Sequence, residues 1–242
     1  MRVETPCEAC AAPCCRNYTV TISGHDAYRL SAGLRVPMRA FAEMCWSRER
    51  DATHRILLEP GTDGERHWYR VALRRVPDVA ESSDAPSPAA APSSGWRCVF
   101  LVSLGGLGRC GVYAQRPSVC RAYPTQLEDD LVQLRSTPYC PPGGWQLDAI
   151  DLPYFRAELV EKRRQHALYD GLVEAWNVRV VSEHADLRVR DFFAFLEVAY
   201  GELARRGRAS LSTTEEQPQG ADVGPGDDLE AALRVALQMP ST

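Results

Sequence analysis

Four cysteines stand within nine residues near the start of the chain, as Cys7-x2-Cys10-x3-Cys14-Cys15. This crowding constrains the fold more than any hydrophobic pattern, because four thiols held in one short irregular stretch need something that uses them. The C-x2-C spacing lets two sulfurs chelate one ion from a tight turn, as in zinc and iron–sulfur sites. Cys14 and Cys15 are neighbours, and in extended chain neighbouring side chains point to opposite sides. The group is therefore expected to span two metals or to leave one thiol free. A second set, Cys98, Cys110, Cys120 and Cys140, has long spacings and comes together only through the fold. Eight thiolates fill two four-coordinate sites, or hold one multinuclear cluster, or one cluster beside a zinc, and the spacing is compatible with each. The ninth cysteine, Cys45, lies in the apolar stretch Phe41-Ala42-Glu43-Met44-Cys45-Trp46, where core packing is the expectation. The order C-x2-C-x3-C reverses the radical-SAM pattern C-x3-C-x2-C and lends radical chemistry no support.

Composition decides the class of partner. The net charge of −4 lies wholly in the segment from Arg208 onward, which holds two arginines and six acids. The remainder is near neutral and carries no basic footprint for nucleic acid. No apolar run reaches the length that spans a membrane, and Cys7 sits where the apolar region of a secretory signal would begin. The expectation is a cytoplasmic protein, with no membrane and no nucleic acid among its partners. In a reducing compartment nine cysteines point to metal or redox chemistry rather than disulfides.

Local patterns place these cysteines. Tyr18–Ile22 alternates like a strand. Ser23, three residues before Asp26, caps a short helix expected over Asp26–Ala32 and stopped by Gly33. Pro37 opens a second expected helix reaching Arg48. Ile56–Leu58 and Trp68–Leu73 read as strands joined by the turn-rich Pro60–Gly64. Residues 78–95, rich in Pro, Ala and Ser, read as a flexible insertion between the two cysteine groups. Strand character returns at Cys98–Val102 and again at Leu131–Leu134. A helical turn is expected over Pro117–Ala122, and Glu128-Asp129-Asp130 reads as a solvated turn. From Leu152 the period becomes helical. Phe155, Leu159, His166, Tyr169, Val173 and Trp176 form one apolar stripe, and Val189, Phe192, Phe193, Leu196, Ala199, Tyr200 and Leu203 form another. Residues 208–227 read as disordered, and Leu229–Gln238 as a helix that needs a docking surface.

The stretch Cys98-Val-Phe-Leu, Gly108-Arg109-Cys110-Gly111-Val112-Tyr113 and Arg116-Pro117-Ser118-Val119-Cys120-Arg121-Ala122-Tyr123-Pro124, taken with the first cysteine group, resembles the YkgJ-type cysteine-cluster family. Ser23–Leu30 is similar to that family's short acidic-capped helix. The resemblance covers roughly residues 5–145 and implies a zinc- or iron-chelating module. Its implied ligands are Cys7, Cys10, Cys14, Cys15, Cys98, Cys110, Cys120 and, as an eighth, Cys140. It also implies kinship with flagellin lysine N-methylases that carry the same cluster. An iron–sulfur oxidoreductase or a protein-modifying enzyme is therefore the alternative to a metal-binding protein. No glycine-rich nucleotide loop follows a clear strand, and Gly105–Gly108 reads as a turn. Arg116 and Arg121 flank Cys120 and can offset thiolate charge, with carboxylate pairing as the rival role. Tyr113 and Tyr123 are expected to pack, with hydrogen bonding to sulfur as the rival. His25 reads as a cap-position residue, His166 as a core histidine, and His54, His67 and His184 carry no pattern.

The expected fold is α+β. An irregular, metal-stapled cysteine module with short strands occupies residues 1–150. A helical extension spans 151–207, with a protein partner on helices 151–206 as one use of its stripes. An acidic, mostly disordered tail occupies 208–242.

Overall fold

The computed structural model describes residues 10–47, 54–58, 66–78, 95–104, 107–136, 139–140, 145–182, 187–212 and 225–238. The expected turn at Pro60–Gly64, all of the insertion except its end residues, and His184 lie outside them. In chain order the elements are α1 (Pro13–Asn17), α2 (Gly24–Leu34), β1 (Ala42–Trp46), β2 (Ile56–Leu57), β3 (Trp68–Leu73), β4 (Arg75–Pro77), β5 (Trp96–Cys98), β6 (Leu101–Leu104), β7 (Leu107–Cys110), α3 (Ser118–Ala122), β8 (Thr125–Glu128), β9 (Leu131–Leu134), α4 (Leu152–Ser182), α5 (Val189–Ser212) and α6 (Pro225–Leu237). The strands form one three-stranded sheet, β1-β3-β2, and three two-stranded ribbons, which with the helices make an α+β fold. No helix among the described residues is long and apolar enough to cross a membrane.

The chain divides into two compact units that interleave in sequence, so neither coincides with the span 1–150. The first comprises Met1–Ile22, Phe41–Glu43 and Ala72–Arg164, and the second the rest.

The first unit is built from ribbons. β4 pairs antiparallel with β5, placing Arg75 opposite Cys98, and β6 pairs with β7, placing Leu101 opposite Cys110. Cys98–Val102 is thus two strands rather than one, broken by a turn at Val99–Phe100. The β8–β9 ribbon closes through Asp129 (φ 46°) and Asp130 (φ 60°), the two left-handed residues of a tight hairpin, a conformation that Asp tolerates. Tyr18–Ile22 forms no strand. It contributes one antiparallel bridge, Thr21 to Ala72, and Val20 O accepts from Leu73 N at 2.8 Å. Val20, Leu73, Leu101, Val112, Phe155 and Leu159 are buried in this unit, and Phe41 meets Phe100 at 5.6 Å.

In the second unit, Ser23 caps α2 by accepting from Asp26 N at 3.2 Å. The helix passes through Gly33 and ends instead at Arg35, which is left-handed at φ 56°. The helix expected over Pro37–Arg48 does not form in its described part, residues 37–47. A 3-10 turn, Met38–Ala40, is followed by β1. A six-residue apolar run has no decisive period, and pairing decided it: Ser47 N donates to Trp68 O at 2.8 Å. β2 and β3 pair as expected, with Ile56 opposite Tyr69. Trp176 of α4 is fully buried, stacked edge-on to Phe192 at 5.1 Å and near Phe195 at 5.5 Å. The α5 stripe is buried from Phe192 to Tyr200, whereas Val189, in the helix's first turn, remains 39% exposed. The segment expected to be disordered begins inside α5. The isolated helix docks as α6, burying Ala232 and Ala236.

Gly24 begins α2 beneath two buried rings. A Cβ there would lie 2.7 Å from Tyr200 Cε2 and 2.9 Å from Tyr169 Cδ2. Gly24→Ala is therefore expected to destabilise the chain by about 1–3 kcal/mol in urea unfolding. Gly207→Ala, where a Cβ meets nothing within 4 Å, should be neutral or stabilising by up to about 1 kcal/mol. Equal effects of the two substitutions would refute the packing described.

Candidate metal centre

Six cysteines line a single cavity of about 110 Å³ in the first unit: Cys10, Cys14, Cys15, Cys98, Cys110 and Cys120. They arrive on four different local devices: the N-terminal turn into α1, the end of β5, the end of β7 and α3. Ala12 is left-handed (φ 57°) and Pro13 follows it, so the chain turns sharply into α1. Cys15 N then donates to Ala12 O, and Tyr18 N to Cys14 O, each at 3.0 Å. Cys10 accepts at its sulfur from Ala12 N at 3.3 Å. Cys98 ends β5, Cys110 ends β7, and Cys120 lies on α3, where its N–H donates to Pro117 O at 2.9 Å. The helical turn expected around Pro117 thus forms as α3, with Pro117 as its cap.

The N-terminal segment is held on β7 by direct backbone contact. Gly108 N donates to Cys10 O at 3.1 Å. A Cβ at Gly108 would stand 2.5 Å from Ala12 Cβ and 3.0 Å from Ala11 O. Only glycine lets the two backbones approach this closely.

One premise from the sequence is overturned. Cys14 and Cys15 lie in a helical turn, not in extended chain, and their sulfurs are 4.0 Å apart on the same cavity. Two thiolates on one tetrahedral zinc, with Zn–S of about 2.3 Å, stand about 3.8 Å apart. The adjacent pair therefore fits a shared centre. Among the described residues, however, no three His, Cys, Asp or Glu side chains are gathered closely enough to enclose a single ion. The sulfurs are spread around a cavity wall rather than pointing at one spot.

Cys7 lies outside the described residues. Cys140 is half-buried and is not part of the cavity lining. It is electrostatically close to Tyr123, whose side chain does line the cavity and whose hydroxyl accepts from Tyr139 N at 2.5 Å. Cys45 lies on β1, with its thiol 3.3 Å from Arg70 O, and is outside the cavity.

The surrounding charges divide. Arg121 pairs with Glu158 at 2.7 Å. Arg116 lies over the Tyr113 ring at 4.0 Å and its charge favours the thiolate at both Cys14 and Cys110. The Cys15 thiol, hydrogen-bonded to Cys14, pulls Cys14 down to about 7 against the opposing effect of burial. Cys15 moves the other way, raised by that same hydrogen bond and then by burial, so the pair shares one proton. Burial pushes Cys98 up to about 11 and also raises Cys110. These thiols hold their protons in the folded chain more tightly than in water.

A raised thiol pKa stabilises the fold fully below its ordinary value, near 9.0, and that stability is lost as pH climbs through about 11. The metal-free chain is expected to show a falling urea midpoint across this window, with the fall reduced in Cys98→Ala. A flat profile between those values would contradict the burial of Cys98.

Searches of curated proteins and of solved structures found no match. The family model named CxxCxxCC, described as "Putative zinc- or iron-chelating domain", matches residues 6–141, more than half of the chain and all eight cysteines of the two groups. The matched span contains all six cysteines that line the cavity, and the chain belongs to the CxxCxxCC family.

Proposed function

We propose that this chain is a metal-binding protein whose two cysteine groups together hold more than one metal atom, as zinc or as an iron–sulfur cluster. The observation that carries the reading is the convergence of six cysteines on one cavity. Zinc accepts four ligands in a closed structural site, so six sulfurs on one wall exceed what one zinc uses. A spread of sulfurs around about 110 Å³ suits a centre larger than one ion. Cys7, three residues ahead of the described segment, and Cys140, beside Tyr123, would raise the donor set to eight.

The chain's own groups supply the electrostatic setting. A zinc with four thiolates carries a formal charge of −2, and Arg116 is the cation placed to offset it. Loading such a centre displaces the protons of Cys15, Cys98 and Cys110, so affinity rises with pH. Bound, the metal would neutralise thiolates that the buried cavity otherwise disfavours, and its binding energy would add to folding energy.

Anaerobic purification followed by elemental analysis and an absorption spectrum tests this. Two or more zinc or iron atoms per chain are expected, with sulfide and visible absorption if the metal is iron. Cys14→Ser and Cys15→Ser should each lower the content. One metal atom per chain or none, after purification without chelator, defeats the proposal.

Gly108→Ala tests the route by which the first cysteine group reaches the second. The added methyl pushes the Cys10–Ala12 segment off β7. Bound metal should fall at least as far as in Cys10→Ser, while the far-UV signal of the helices changes little. Full metal content in Gly108→Ala would mean that the backbone contact does not set the site.

A further inference from the structure

The second unit contains a cluster of ligand-type side chains that the cysteine chemistry does not use. His54 Nε2 stands 2.9 Å from His166 Nδ1, with the two rings nearly perpendicular at 80°. Asp170 Oδ1 lies 2.6 Å from the other nitrogen of His54, a close charge contact rather than an aligned hydrogen bond. The three residues come from the segment before β2 and from α4. His54 and Asp170 also line an open cleft of about 550 Å³ with Arg55, Trp68, Glu174 and Asn177. His54 is 12% exposed and Asp170 48%, so solvent reaches the cluster through this cleft.

Its parts are held firmly. Asn177 accepts from Leu57 N and donates to Arg55 O, each at 2.7 Å, and Trp176 Nε1 donates to Leu57 O at 2.8 Å. These three bonds clamp the segment carrying His54 onto the helix carrying His166. His54 itself is left-handed at φ 58°, a backbone state that His, like Asn and Asp, adopts more readily than other non-glycine residues. The ring also packs against the buried Tyr169 at 5.0 Å. Two imidazole nitrogens held face to face can share only one proton between them.

We infer that His54 and His166 form a second, histidine-based site for a divalent first-row transition ion of the Ni²⁺ or Cu²⁺ type, with Asp170 as its positioning residue. Imidazole is a preferred ligand of such ions, and tetragonal geometry places neighbouring ligands at right angles. At a metal–nitrogen length of about 2.05 Å, two ligands at a right angle stand about 2.9 Å apart. That is the separation already present, so the ion replaces the shared proton once each ring rotates to turn its lone pair from the other nitrogen toward the ion, with the segment and helix that carry the rings left in place. The carboxylate beside the remaining nitrogen of His54 fits the second-layer partner that orients a metal-bound imidazole and strengthens it as a donor. Water completes the coordination from the cleft, so the site is of moderate affinity and exchangeable. It shares no residue with the cysteine cavity and stands whether or not that cavity holds metal.

The test uses the full chain as purified, saturated with zinc so that the thiols are occupied, and titrated with Ni²⁺ by calorimetry. One Ni²⁺ per chain is expected. Affinity should fall at least about tenfold in His54→Gln and in His166→Gln, and about 10–100-fold in Asp170→Asn, the range typical of lost second-layer partners. Paramagnetic broadening of histidine ring signals in the unsubstituted chain gives a readout that needs no variant, and it should concentrate on His54 and His166. Absence of a Ni²⁺ site, equal affinity in the variants, or broadening centred on His25 or His67 would overturn the inference. The pair would then be a hydrogen bond between two histidines and nothing more.

Discussion

The close approach of two backbones at Gly108 is the contact on which the cysteine centre depends. The first cysteine group sits on a five-residue helix and a few irregular residues, with no sheet or long helix of its own. Such a segment has no fixed position unless another element supplies one, because its few backbone bonds offset little of the entropy of ordering it. β7 supplies it. The Gly108–Cys10 hydrogen bond and the missing Cβ at Gly108 let Ala11 and Ala12 lie on the strand. Cys110, two residues along the same strand, thereby comes to the same cavity as Cys10, Cys14 and Cys15.

Electrostatics makes that gathering costly. Buried thiols resist ionisation, and the upward shifts at Cys98 and Cys110 express this. Cys14 ionises more readily because its neighbour keeps a proton, backbone N–H groups donate to its sulfur and Arg116 stands nearby. Three short ribbons, with strands of three or four residues, build the unit that holds the cavity and are too short to form one large sheet. Small β units with limited apolar area are marginal alone. An ion held by the cavity's sulfurs, as proposed, would offset that weakness by adding its binding energy to folding.

The helical unit is stabilised differently. It buries Trp176, Tyr169, Phe192, Phe195 and Leu196 and relies on aromatic and aliphatic packing. Its polar interactions are mostly surface ion pairs, such as Arg164 with Glu161, which contribute little. A network joining Arg55 and Leu57 to Asn177 and Trp176 adds side-chain hydrogen bonds that hold an irregular segment on a helix. Without them the two histidines would not face one another.

The sequence by itself determined the elements whose signals are local. The Ser23 cap, the β2 and β3 strands, the Asp-rich turn and the two long helices all follow from residue chemistry acting over a few positions. The first cysteine group was equally legible, because thiols at short spacing are uncommon without a shared use, whereas the long-spaced second group was placed by the resemblance alone. Only the tertiary structure decided what depends on distant partners. Ala42–Trp46 became a strand because β3 offers its backbone groups, and Tyr18–Ile22 stayed irregular because it found only one bridge there. Cys14 and Cys15 face one cavity because a left-handed Ala12 and Pro13 wind them into a helix, a backbone choice that adjacent cysteines do not announce. His54 and His166 lie 112 positions apart, and no spacing rule could pair them. Local order follows from the residues themselves, whereas convergence across the chain depends on which surfaces the packed elements bring within hydrogen-bonding distance.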